Sequence, residues 1–91
     1  MKTIWKYKLE ATENQIIRMP ENSEVLTISG QDGCVYVWAL VDTDRPSEDR
    51  CFSVYGTGWE IKPENLLYIG TAFIDSHIGP LVFHVFERYE E

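Results

Sequence analysis

Cysteine, proline, glycine and positive charge are all scarce in this chain, and each scarcity excludes something. Two cysteines among 91 residues cannot build the disulfide framework that small secreted domains use. Cys34 and Cys51 lie in apolar, strand-like runs, where a reduced buried thiol acts as a small hydrophobe. Together with two histidines at unrelated spacings they make a poor zinc set, so neither a metal nor a cofactor is expected. Eight Lys and Arg against 15 Asp and Glu leave a formal charge of −7. That charge repels a phosphate backbone unless the bases gather on one surface. The bases are spread along the chain, so no nucleic-acid partner is expected.

Long apolar runs are missing as well. No segment approaches the roughly 18 apolar residues of a membrane span, and Lys6 and Lys8 interrupt "MKTIWKYKLE" where a signal peptide would be continuous. A soluble protein of the cytoplasm, with no membrane partner, is the expectation. Repeats, low-complexity tracts and Gly/Ser linkers are absent, which leaves one domain over residues 1–91. No stretch of ten or more residues carries a helical stripe.

What remains is alternation. Apolar residues are 44% of the chain and aromatics 13%, enough to fold around a core without staples. In "IWKYKL" the residues Trp5, Tyr7 and Leu9 share one face and Lys6 and Lys8 the other. "QIIRM" reads as a short strand ending at the turn "PENS". Val25 to Ser29 and Cys34 to Val41 are the arms of a hairpin whose Gly30 to Gly33 segment supplies positive-φ positions.

The second arm is apolar on both faces, the pattern of a central strand covered twice. Val37, Trp38, Phe83 and Val85 are accordingly expected in the core. "DTDRPSEDR", Asp42 to Arg50, reads as an exposed loop. Leu67, Ile69, Thr71 and Phe73 line one face of a later strand, and "LVFHVFERY" is a strand apolar on both faces until Glu87. About seven short strands at turn spacings of roughly 8 to 12 residues predict an all-β fold. It is a small antiparallel sandwich or partly open barrel, with room for one short helix beside Pro63.

Chemistry is harder to place. "YGTGW", Tyr55 to Trp59, is neither a Walker loop nor a dinucleotide fingerprint. Pro63 also leaves no room for the full helix whose N-terminus would complete a phosphate site. One reading is a strand corner shaped by Gly56 and Gly58. The other is a ligand site in which Tyr55 and Trp59 stack on a planar group. There Thr57 and the exposed amides of Gly56 and Gly58 bind its polar parts, and Arg18 supplies a base.

His84 sits inside "LVFHVF", where a hydrogen-bonded sheet histidine is expected rather than a general base. No serine or cysteine has a nucleophile's context. Asp42, Asp44, Glu48 and Asp49 lie among Arg45 and Arg50 as self-neutralising surface charge. No catalytic residue is assigned and no enzyme is expected. Self-association, as a homo-oligomer through unpaired strand edges, follows from the aromatic content of so short a chain.

The succession "IWKYKLE", "IRMPENSEVLTISGQDGCVYVWALVD", "FSVYGTGWEI", "LLYIGT" and "GPLVFHVFE" resembles a family of small proteins of unknown function encoded mainly in bacteriophage and prophage genomes. "VWALVD", "YGTG" and "LVFHVFE", in that order, carry the resemblance. The family pattern often has histidine after the second glycine, where this chain has Trp59, so no imidazole role transfers there. The resemblance implies a non-enzymatic phage accessory protein of the host bacterial cytoplasm. Such a protein would counter host defence by sequestering a small nucleotide-like signalling ligand. The alternatives are masking a host protein through an acidic or aromatic surface, such as the Asp42 to Arg50 loop, and a role in virion assembly.

Overall fold

A computed structural model describes residues 1–62 and 65–89. Seven strands follow one another: β1 Lys2–Leu9, β2 Gln15–Pro20, β3 Glu24–Gln31, β4 Cys34–Asp42, β5 Ser47–Gly56, β6 Leu66–Ser76 and β7 Gly79–Arg88. They form two antiparallel sheets, ordered β1-β4-β3 and β2-β5-β7-β6. Among the described residues there is no helix, and neither sheet closes into a barrel. The fold is therefore an all-β sandwich. The short helix expected beside Pro63 falls on Pro63 and Glu64, outside the described residues.

The core lies where the inward faces of the two sheets meet. From β4 come Val35, Val37, Ala39 and Val41, from β5 Phe52 and Val54, and from β7 Val85, all buried. Asp32 and Gly33 both have positive φ, 52° and 76°, which makes the β3–β4 connection the two-residue turn that matches strand twist. Asp42 and Ser47–Arg50 belong to β4 and β5, so the acidic loop shrinks to residues 43–46. Its outer positions gain strand pairing that charge content alone does not reveal.

Trp38 and Phe83, expected in the core beside Val37 and Val85, are only half-buried. The outer face of the three-stranded sheet has no second layer. Lys6 lies over Tyr36 and Trp38 instead, its Nζ 4.6 and 5.5 Å from the ring centroids, and donates to Gln31 Oε1 at 2.6 Å. A lysine stem thus stands where a sheet was anticipated. Phe83 is half-open because its β5 partner is Gly56, the last residue of that strand and one without a side chain, and it borders two open depressions.

Two bulges, at Leu26 in β3 and Ile69 in β6, interrupt the pairing. The second splits the expected Leu67–Phe73 face: Ile69 packs on the core, while Thr71 and Phe73 turn outward with His84 and Val82. β3 and β6 are the strands on which the sheets meet edge to edge. A Cβ on Gly30 would lie 2.5 Å from the Phe73 carbonyl oxygen, so this contact of backbone on backbone requires glycine.

On the opposite side, the inward residues of β1 lose burial along the strand, from buried Leu9 through half-buried Tyr7 to exposed Trp5. The first half of β1 thus leaves the core.

Charge closes one end. Arg50 of β5 grips the Glu87 carboxylate of β7 with Nε and, at 3.0 Å, with Nη2, and donates from Nη1 to the Ser23 carbonyl at 2.9 Å. Both side chains are more than four-fifths buried, and the Glu87 carboxylate raises the Arg50 pKa further. Arg50→Ala should therefore cost about 2 to 4 kcal/mol by leaving a carboxylate desolvated, whereas a double change to methionine should cost less. Chemical denaturation of the two variants against the wild type is the check; equal losses would mean that volume, not charge pairing, matters here.

The Tyr7 hydroxyl is buried and makes no hydrogen bond with a described residue, and burial raises its pKa above the ordinary value of 10.0. A phenol with a raised folded pKa leaves stability intact below the unfolded value and lowers it as pH rises through that value. Tyr7→Phe should hold or raise stability at neutral pH by about 1 kcal/mol. It should also soften the loss seen above about pH 10, as read by urea midpoints across pH.

Candidate functional site

The segment around Gly56 gathers most of the chemistry. β5 and β6 run parallel with β7 between them, so the connection that starts at Gly56 has to cross β7 to reach Leu66. It leaves β5 through a tight turn at Thr57 and Gly58, with the Trp59 amide donating to the Gly56 carbonyl at 3.1 Å.

The two glycines act differently. Gly58 has φ +91°, a conformation that resists a side chain. Gly56 has no positive φ; a Cβ there would meet the Trp59 indole at 2.7 Å. Trp59 lies across it, edge-on to Phe83 with centroids 6.2 Å apart. "YGTGW" is thus a strand end whose second aromatic folds back over its first glycine.

The ligand reading fares unevenly. Trp59 remains half-exposed and Thr57 exposed. Tyr55 is 1% exposed and packs edge-on against Phe86 at 5.9 Å, which removes it from any stacking site. Strand alternation turns it to the same sheet face as His84, and sequence gives no measure of how well that face is covered. Arg18 lies on β2, its Nη1 donating to Asp49 Oδ1 at 2.7 Å. Asp49 precedes Gly56 by seven residues of β5, roughly 23 Å of strand. The structure therefore does not bring Arg18 to Trp59.

Three residues not anticipated at the site surround Thr57. Its hydroxyl lies 2.7 Å from His84 Nε2, His84 Nδ1 lies 3.0 Å from Thr71 Oγ1, and that oxygen lies 2.5 Å from the Tyr68 hydroxyl. A neutral imidazole donates from one nitrogen and accepts at the other, so the row can be fully satisfied. His84 is hydrogen-bonded within the sheet, as its context suggests. Thr57 and His84 have the distance of a nucleophile and its base, but a hydroxyl stands where a carboxylate would stabilise an imidazolium. Only register could have revealed this row: Thr71 and Tyr55 flank His84 across the sheet.

Beside Trp59 is an open depression of about 300 Å³ lined by Gly56, Thr57, Trp59, Pro80, Leu81, Val82 and Phe83. No charged side chain lines it. A further depression, about 370 Å³, lies elsewhere and is lined by Lys2 and Arg45 together with Glu21, Glu24 and Asp42. Cys34 and Cys51 are free thiols in different sheets. Among the described residues no group of His, Cys, Asp and Glu is placed to hold a metal, and no helix could cross a membrane.

A family match covers residues 1–91, and its description is a domain of unknown function, DUF7352. The chain belongs to that family. No curated protein and no solved structure matches.

The DUF7352 chain offers a direct test of how its glycines work. Gly56→Ala should destabilise by about 1 to 3 kcal/mol through overpacking, and Trp59→Ala should remove most of that penalty when combined with it. Gly58→Ala should cost about 1 to 2 kcal/mol in either background, from backbone angle alone. Urea denaturation of the five variants measures all three terms. A Gly56 penalty that survives the loss of Trp59 would contradict the packing explanation.

Proposed function

We propose that this protein is a non-enzymatic accessory protein, of the phage or prophage setting its resemblance implies, that works in the host cytoplasm by masking a partner protein. One observation carries the proposal. Trp59, 49% exposed, borders a depression that no charged side chain lines, and two further exposed apolar residues, Phe73 and Ile78 at 71% and 88%, lie on β6 and in the β6–β7 turn, next in the fold to the β7 segment that lines it. Large apolar side chains exposed beside an uncharged depression suit contact with another macromolecule.

A nucleotide-derived ligand fits this depression less well, because its phosphates would meet neither a cation nor a helix N-terminus there. An apolar side chain of a partner fits better, with Trp59 as the aromatic anchor. The chain's net charge of −7 would steer it toward a basic surface. A second copy can use the same patch, which is how the expected homo-oligomer would form.

The test joins two measurements on the intact chain. Thermal shift against nucleotides, cyclic dinucleotides among them, should show no stabilisation. A partner retained from bacterial lysate by the wild type should be lost by Trp59→Ala and by Ile78→Ser, both of which should stay folded because the side chains are exposed. A nucleotide that raises the melting temperature and loses its effect in Trp59→Ala would restore the sequestration reading. A partner retained equally by both variants would move the surface elsewhere.

A further inference from the structure

The lysines of β1 form a second surface, distant in kind from the Trp59 end. Lys2, Lys6 and Lys8 alternate along one face of a strand that pairs with β4 and with no other described strand. Every second residue of β1 therefore turns its backbone N–H and C=O away from the sheet. The register sets Lys6 opposite Trp38 and Lys8 opposite Tyr36. Across β4, opposite Trp38 and Tyr36, lie Thr27 and Ser29, and Gln31 follows on the same face, so β3 brings no carboxylate to Lys6 and Lys8. On the other face Trp5 stands 43% exposed beside the same edge.

We propose that the edge of β1 receives an extended protein segment in which acidic and apolar residues alternate, added as a fourth strand of the three-stranded sheet. Its carboxylates would face Lys6 and Lys8, its apolar residues would cover Trp5, and its backbone would complete the unpaired ladder. Main-chain pairing gives such strand addition its affinity, and alternate side chains give it selectivity.

Two other occupants fit worse. A single-stranded nucleic acid needs open ring faces for its bases, and Lys6 lies over Tyr36 and Trp38; nor does it use a peptide ladder. A second copy of β1 would bring lysines together. Centring an antiparallel pair on Trp5 sets Lys2 opposite Lys8, and centring it on Lys6 sets Lys6 against itself, with like charges destabilising each register.

Fluorescence anisotropy with labelled, end-blocked peptides on the full chain provides the test. A peptide alternating Glu and Val should bind, and raising salt to about 0.5 M should weaken it. Lys6→Glu with Lys8→Glu should weaken it by about tenfold or more. Methylating alternate amide nitrogens of the peptide, which leaves the protein untouched, should abolish binding in one of the two methylation frames. The proposal is overturned if the Glu-Val peptide does not bind, or if both methylated frames bind as well as the parent. Equal binding by a Lys-Val peptide, or preference for a thymidine oligonucleotide, would overturn it too. If the lysine variant fails to fold, the methylated peptides still decide.

Discussion

The contact between the backbones of β3 and β6 at Gly30 governs the rest of this sandwich. With the Phe73 carbonyl 2.5 Å from where a Cβ would stand, the two edge strands are closer than any side chain allows. The strands that meet there are also the two that carry bulges, at Leu26 and Ile69, and a bulge bends and twists its strand locally. Glycine removes the spacer and the bulges supply the bend. A sheet of three strands drawn onto one border of a sheet of four is free at its opposite border. There β1 leaves the core, and burial fades from Leu9 to Trp5.

The four-stranded sheet is then held by two sets of polar groups far apart in sequence. Arg50 and Glu87 join β5 to β7 and catch the Ser23 carbonyl of the β2–β3 turn, so one mostly buried ion pair fixes three segments. A bidentate guanidinium suits this position because one planar group satisfies several acceptors. Across the middle of the sheet Thr57, His84, Thr71 and Tyr68 link β5, β7 and β6 through hydroxyls and an imidazole. That row can satisfy itself without a net charge, and it faces a surface where apolar side chains stand exposed. The two links therefore differ chemically: one is a mostly buried ion pair, the other a row of hydroxyls and an imidazole.

Most of the strands were legible from alternation, and the β3–β4 turn from its glycines, although Gly30 and Gln31, read as part of the turn, extend β3 and leave only Asp32 and Gly33 there with positive φ. What alternation does not convey is how a face is covered. β4 is apolar on both sides, yet one side meets a sheet and the other only the stem of Lys6. Tyr55 reads like an exposed aromatic beside a glycine loop but is buried, because it packs on Phe86 across β7. The bulge at Ile69 reverses the faces of the residues after it, a slip that hydrophobicity alone conceals because both faces carry large side chains. Arg18 lies apart from Trp59 for a plainer reason: register pairs β2 with the first half of β5, far from Gly56.

The same geometry leaves faces and edges as the places where so small a domain can set out its chemistry. The Cα framework measures 15 Å along its shortest axis, room for two sheets about 10 Å apart and no enclosed chamber between them. The depressions between and beside the sheets are open and shallow, as at Trp59. Chemistry is therefore sorted by face and by edge. Acids dominate the chain as a whole, yet the alternation of β1 places three of its eight bases on one side of one strand. A net charge describes how a protein is steered from afar; at contact distance, with a Debye length near 8 Å in physiological salt, the local face decides. A chain that is acidic overall can thus present a basic edge to one partner and an uncharged aromatic end to another.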